Sequence, residues 1–240
     1  MTPFPTRHLS VSSVQLYLRC PASWHRRYVL GITEPLTAPM AFGSVMAKAL
    51  EALHLGKDAD VAFVVEHAKA MALGPIAPGA EYGLQLLRLY RERGVFKGEP
   101  EVRFRLFLPD RKAVPLPLLM VMDLVADRRV VEFKTSMTKW TQEKVNNEFQ
   151  ATVYGWGYQQ VKQHQADAVH YVVMSTSSPS ITEFETYPTG LDLRVFERVA
   201  AKMYRDVLAG KFDPCGTCRV CKPRDVQDDT GPRLVFGGTA

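Results

Sequence analysis

The chain reads as a mixed α/β protein, and three features predict it. Apolar residues recur at helical spacing through the first 95 of its 240 residues. The apolar period then drops from 3.6 to 2. Helix and strand finally alternate as far as Leu208. A content of 46% hydrophobic and 10% aromatic residues excludes a wholly disordered or fibrous chain. No uninterrupted apolar stretch approaches the ~20 residues that span a bilayer. Met1 to Ser10 lacks an apolar signal core. The expectation is therefore an intracellular, cytoplasmic protein without a membrane partner. A net charge of +5 suits a phosphate-rich partner without requiring one.

Taken in order, Ser12 and Ser13 are placed to cap a helix carrying Val14, Leu16, Tyr17 and Leu18, and Pro21 can open the next. Ala41 to Leu55 repeats Phe42, Val45, Met46, Ala49, Leu50 and Leu53 at helical spacing. Asp60 to Leu73 and Ala80 to Arg93 are two more amphipathic helices, parted by the breakers Gly74, Pro75, Pro78 and Gly79. Val102, Phe104, Leu106 and Leu108 then alternate with Glu101, Arg103, Arg105 and Phe107, a half-buried strand. Leu118 to Ala126 is an apolar run broken only by Asp123, as in a central strand. A turn at Asp127-Arg128 leads into a third strand, Val130 to Thr135. Thr141 to Gln163 is predicted as one helix, Ala168 to Ser175 and Ile181 to Tyr187 as strands, Leu191 to Leu208 as a long helix, and the residues after Lys222 as a polar tail. The chain divides into a helical region, 1–95, a core, 96–210, and a cysteine-rich clasp with tail, 211–240, within one compact domain.

The chemistry concentrates at two places. Asp123 lies in an otherwise apolar strand, where a lone buried carboxylate costs several kcal/mol unless it is paired or metal-bound. Glu132 and Lys134, two apart on the next strand, share a face. An antiparallel pairing through the Asp127-Arg128 turn brings Asp123 and Glu132 together, and two converging carboxylates repel unless a hard cation such as Mg²⁺ or Mn²⁺ lies between them. A neighbouring lysine can then orient an attacking water and offset charge on a phosphate. A surface hairpin with a solvated ion pair fits the same spacing. The second place is Cys215, Cys218 and Cys221, a C-x2-C-x2-C run, with Cys20 far away before Pro21. Two successive C-x-x-C steps favour one metal centre over disulfides, and both four-thiolate zinc and a [4Fe–4S] cube are open.

Met122-Asp123-Leu124, Glu132-Phe133-Lys134 and Gln150-Ala151-Thr152-Val153-Tyr154, in that order after a helical region, resemble the acidic, (D/E)xK and QxxxY motifs of the PD-(D/E)xK nuclease superfamily, in its RecB-like branch. The resemblance spans Leu9 to Cys221. It implies a restriction-endonuclease-like core of helix, three-stranded meander, helix and strand, with an N-terminal helical region and a C-terminal cysteine clasp. It further implies Mg²⁺ or Mn²⁺ at Asp123, Glu132 and the Phe133 backbone carbonyl, a catalytic Lys134, and Gln150 with Tyr154 holding substrate. Glu101 fits the family's glutamate near the start of the first strand. The family's GxxxH helix reads Gly43-Ser44-Val45-Met46-Ala47, with alanine where the branch has a metal-binding histidine, and His54 lies two turns further on. A substitution introduced to trap substrate, a site working with Asp123 and Glu132 alone, and an inactive nuclease are the three explanations of Ala47.

A subgroup of the branch, including AddB-type and CRISPR-adaptation nucleases, places one cysteine before the core and three after it around an iron–sulfur cluster. The resemblance therefore implies a [4Fe–4S] cluster on Cys20, Cys215, Cys218 and Cys221. The activity it implies is a metal-dependent deoxyribonuclease acting as an exonuclease on single strands or DNA ends, in repair or recombination. No G-x-x-x-x-G-K-[ST] phosphate loop is present, so unwinding would fall to a helicase or recombination partner. A catalytically silent DNA-binding scaffold is the alternative, and a zinc-clasped regulator a third. For holding DNA, Arg19, His25, Arg26 and Arg27 with Trp24 and Tyr28 form one mixed cationic and aromatic group. Lys139, Trp140 and Lys144, close to Lys134, form a second, and Arg88, Arg91 and Arg93 a third.

Overall fold

The computed structural model describes residues 4–222, so the expected tail after Lys222 lies outside the described residues. Its mixed sheet is built from β1 (Leu9–Ser10), β2 (Glu99–Phe107), β3 (Pro117–Ala126), β4 (Arg129–Ser136), β5 (Ala168–Ser175) and β6 (Ile181–Thr186). Helices α1 (Val11–Arg19), α2 (Pro21–Tyr28), α3 (Ala38–His54), α4 (Ala59–Leu73) and α5 (Ala80–Glu92) precede the meander. Helices α6 (Gln142–Asn146), α7 (Phe149–Lys162) and α8 (Gly190–Leu208) follow it. The expected α/β architecture holds, and most boundaries fall within a residue or two of the sequence reading.

Three details differ. Ser10, not Ser12 or Ser13, caps α1: its hydroxyl accepts from the Ser13 N–H while the Ser13 hydroxyl accepts from the Ser10 N–H, a reciprocal box. The strand at Leu9–Ser10 pairs with Leu118–Leu119, and two residues are too few to show a period. The helix expected over Thr141 to Gln163 is two helices. Asn147 ends α6 and Glu148 caps α7, at the one place where two asparagines, poor helix formers, meet.

Layering follows from which face each helix hides. One apolar cluster packs α1, α2, α7 and α8 on one side of the sheet through Val14, Trp24, Tyr158 and Phe196. A second packs α3, α4 and α5 on the other through Phe42, Leu50, Phe63 and Leu86. Gly43 of α3 lies so close to β4 that a Cβ there would stand 2.8 Å from Thr135 Oγ1. Glycine lets α3 press against the strand that carries Glu132 and Lys134.

Pairing creates a fork. β2 covers one edge of β3 from Pro117 to Val125. The other edge meets β1 at Leu118–Leu119 and β4 at Leu124–Ala126. Over residues 120–123 that edge has no strand partner among the described residues, while β4 runs on beside β5 as far as Ser136. Asp123, Glu132 and Lys134 sit where the strands part.

Candidate active site and four-cysteine centre

The register Leu124↔Val131, carried on by one residue, sets Asp123 opposite Glu132, as the short turn requires. Instead of continuing the ladder, the Phe133 N–H donates to Asp123 Oδ2 at 2.8 Å. Lys134 Nζ donates to Glu132 Oε1 and to Gln150 Oε1, the latter at 2.8 Å. Gln150 Nε2 donates to Glu132 Oε1 at 2.6 Å and to the Tyr154 hydroxyl at 3.0 Å. Tyr154 in turn donates to the Val121 carbonyl, on the edge of β3 that no strand covers. One turn of α7 thus plugs the fork, with Gln150 and Tyr154 on one face as their i, i+4 spacing dictates.

Glu101 completes a row. It lies between the pairs Pro100↔Leu124 and Val102↔Met122, hence opposite Asp123, but with φ +53 it leaves the ladder. A non-glycine residue in that region costs about 1 kcal/mol or more. Its carboxylate turns to Arg103 at 2.7 Å, with Lys48 4.0 Å away. No sequence signal announces that conformation.

Electrostatics set the site apart. Glu132 is 2% exposed. Burial, with Asp123 beside it, outweighs Lys134 and Gln150 and pushes its carboxyl up to about 8. Burial likewise raises Asp123, against the Phe133 N–H and Lys134. Burial works to lower Lys134, but Glu132 and Asp123 outweigh it and leave the ammonium raised. The second oxygen of Glu132 is buried with no hydrogen-bond partner among the described residues. An orphaned carboxylate oxygen beside a second carboxylate fits a hard, oxygen-seeking cation. Its sign is testable. Between pH 4.5 and about 8 the folded chain keeps a proton on Glu132 that the unfolded chain loses, so without metal stability should fall as pH rises through that window. The expected change is a few kcal/mol. Mg²⁺ should oppose the fall and Glu132→Gln should flatten it, as read from melting temperatures; equal slopes in both proteins would contradict the assignment.

Ala47, where the resemblance implies a histidine, lines a cleft of about 370 Å³ with Phe133, Lys134 and Thr135. His54 does not substitute for it: it stacks on Phe133 at 5.7 Å, with the Tyr90 hydroxyl 3.2 Å from its Nε2. Of the residues expected to hold DNA, Trp140 must be corrected. It is 8% exposed, packs on Tyr171 at 5.7 Å and is covered by Lys144 at 3.9 Å, so no base can stack on it. Trp24 is wholly buried. Arg26 pairs with Glu34 at 3.0 Å, Arg27 lies over Tyr28 at 5.6 Å, Arg91 forks onto Asp60 and Arg93 lies 3.8 Å from Glu183; Lys139 and Lys144 are exposed.

The four cysteines converge. Cys20, wholly buried, ends α1 and caps α2, its sulfur accepting from the Ser23 N–H at 3.3 Å. It stands 3.4 Å from Cys221 Sγ and 3.6 Å from Cys218 Sγ. All four sulfurs lie within 4.8 Å of one another, and all four thiols are free. Among the described residues this is the one cluster of three or more such side chains placed to hold a metal. Ser23 Oγ lies 3.3 Å from Cys218 Sγ, and the Tyr17 hydroxyl donates to the Lys211 carbonyl at 2.8 Å, so α1 and α2 bind the C-terminal segment directly. Hydrogen bonds from the Thr217 backbone and hydroxyl pull the Cys215 thiol down to about 6. The donor set fits either metal group, while the separations match thiolates sharing one ion, about 3.8 Å apart for a tetrahedron of 2.3 Å bonds. A cube, which gives each thiolate its own iron, needs them to spread.

No helix among the described residues is long and apolar enough to cross a membrane. A search of curated proteins finds no match. Among solved structures, one titled "Crystal structure of SSO0001" is 14% identical over 85% of this chain and 84% of that one, with a TM-score of 0.35, a likeness that carries no argument. The family model described as the PD-(D/E)XK nuclease superfamily matches residues 8–226. That span takes in the fork, the helix that plugs it and all four cysteines, and the chain belongs to the PD-(D/E)XK nuclease superfamily.

Proposed function

We propose that the chain is a Mg²⁺- or Mn²⁺-dependent deoxyribonuclease that hydrolyses phosphodiesters in single strands or at DNA ends. The observation that carries this reading is the fork, where Asp123 and Glu132 face each other with one buried carboxylate oxygen left unpartnered. Asp123, Glu132 and the Phe133 carbonyl would hold the cation, which when bound acidifies water and offsets charge on the phosphate. Lys134, anchored by Glu132 and Gln150, presents its ammonium where a phosphate oxygen gains charge. Gln150 and Tyr154 spend their polar atoms on Glu132, Lys134 and Val121, so they position the reacting groups instead of gripping substrate.

The cysteine centre, in the reading that the family resemblance supports, is a [4Fe–4S] clasp joining α1 and α2 to the C-terminal segment. The sulfur separations favour a second reading, a single zinc, and iron, sulfide and zinc content of the purified protein decides between them. Ala47 favours a second reading of the whole chain, a catalytically silent DNA-binding subunit working with a helicase or recombination partner. End-labelled single- and double-stranded DNA with Mn²⁺ tests the activity. Stepwise shortening of single strands or ends supports the exonuclease; binding without any cutting by this chain or by Ala47→His leaves the silent subunit.

A further inference from the structure

We propose a second nucleic-acid contact, on α8 and the loop that faces it, which grips DNA backbone some distance from the cut. This rests on the nuclease reading and adds to it a site that none of the cationic groups read from the sequence contains. Arg194, Arg198 and Arg205 line a cavity of about 360 Å³ together with Asp110, Ala113 and Glu197. Spacings of four and eleven residues put the three arginines on one stripe of α8, about 16 Å long. All three are exposed, and none has a carboxylate within ion-pair distance among the described residues. Arg26, Arg91, Arg103 and Arg128 by contrast each lie against one.

The two acids in the cavity serve the backbone. Glu197 accepts from the Asp110 N–H at 3.3 Å, and Asp110 accepts from the Ala113 N–H at 3.0 Å. They hold the loop against α8, and that loop adds Arg111 and Lys112, both exposed. Five cations thus meet two carboxylates. Like charges four residues apart destabilise a helix, so Arg194 and Arg198 do not serve stability. A row of guanidinium forks fits the phosphates of a strand, and 16 Å spans about five nucleotides at 3.4 Å each.

Topology sets the distance to the fork. Leu108, in the cavity wall, follows Phe107, which pairs with Pro117 at the start of β3. Asp123 is six residues along that strand, about 20 Å, or about six nucleotide steps. A substrate shorter than that cannot reach both places.

The test is the salt dependence of binding to labelled DNA of about 20 residues, without divalent metal, for the chain, an R194A/R198A/R205A variant and the matching triple lysine variant. Removing three phosphate contacts should lower the slope of log K against log salt by about 2.7 on duplex or 2.1 on single strands, which also tells the two apart. The lysine variant should keep the slope, and all three proteins should cut a single-stranded tetranucleotide equally. An unchanged slope in the alanine variant overturns the proposal, as does an equal loss on the tetranucleotide. A parent chain that binds no DNA at all overturns the nuclease reading together with this one.

Discussion

Ala47→His is expected to raise Mn²⁺-dependent cleavage about 100-fold. Ala47 is exposed on α3 and lines the cleft beside Lys134, so an imidazole there enters open space and not packed core. Gly43, one turn earlier, already brings α3 against Thr135 of β4, so the helix needs no movement. In the proposed site Asp123 and Glu132 would supply two ligating side chains, and no third His, Cys, Asp or Glu joins them in a cluster among the described residues. A third ligand worth about 3 kcal/mol at the transition state corresponds to roughly that factor. Ala47→Leu fills the same space without a ligand and should give no gain. A folded histidine variant no faster than the parent would mean that position 47 is not part of the metal site.

The second large effect belongs to the cysteine centre. If the four cysteines hold a metal group, as proposed, Cys218→Ser is expected to abolish its binding and lower the melting temperature by about 10 °C, leaving cleavage per folded molecule at low temperature nearly intact. Cys20 and Cys218 are 198 residues apart in sequence, and closing so long a loop restricts the unfolded chain by about 5 kcal/mol. Spread over the unfolding entropy of a chain of this length, that is a shift of about 10 °C. Serine keeps the shape of the side chain, so lost packing does not explain such a drop. Calorimetry alongside metal analysis checks it. A variant that keeps both its metal and its melting temperature would remove the clasp from the structural role assigned to it.

Much of this was legible in residue order, for physical reasons. The Asp127-Arg128 turn is short, so register follows from counting, and Asp123 faces Glu132 as the count requires. Helix period located α3, α4, α5 and α8, and an apolar run interrupted only by Asp123 located β3 as a central strand. What escaped depends on tertiary geometry. The break at Asn147 and Glu148 separates α6 from α7, the helix from which Tyr154 reaches the Val121 carbonyl, and a helical period does not reveal a two-residue interruption. Trp140 looked suited to stacking because it sits among lysines, yet β5 carries Tyr171 beneath it and Lys144 folds over it. The left-handed turn at Glu101 leaves no trace in side-chain pattern. Spacing of C-x2-C-x2-C fixes that three thiols can meet, but neither that Cys20 joins them nor how far apart the four stand, and that distance bears on one ion against a cube.

The most direct measurement is the rate of Mn²⁺-dependent cleavage of end-labelled single-stranded DNA by this chain and by Asp123→Asn, with Ala47→His as the parent for both if the natural rate is low. Asparagine keeps the size of the side chain and an oxygen to accept the Phe133 N–H, but removes the charge that holds a cation. Loss of about 4 kcal/mol of charge stabilisation predicts a rate about 1000-fold lower. Cleavage undiminished in Asp123→Asn would place the chemistry outside the fork and contradict the assignment of Asp123 and Glu132 as its metal-binding pair.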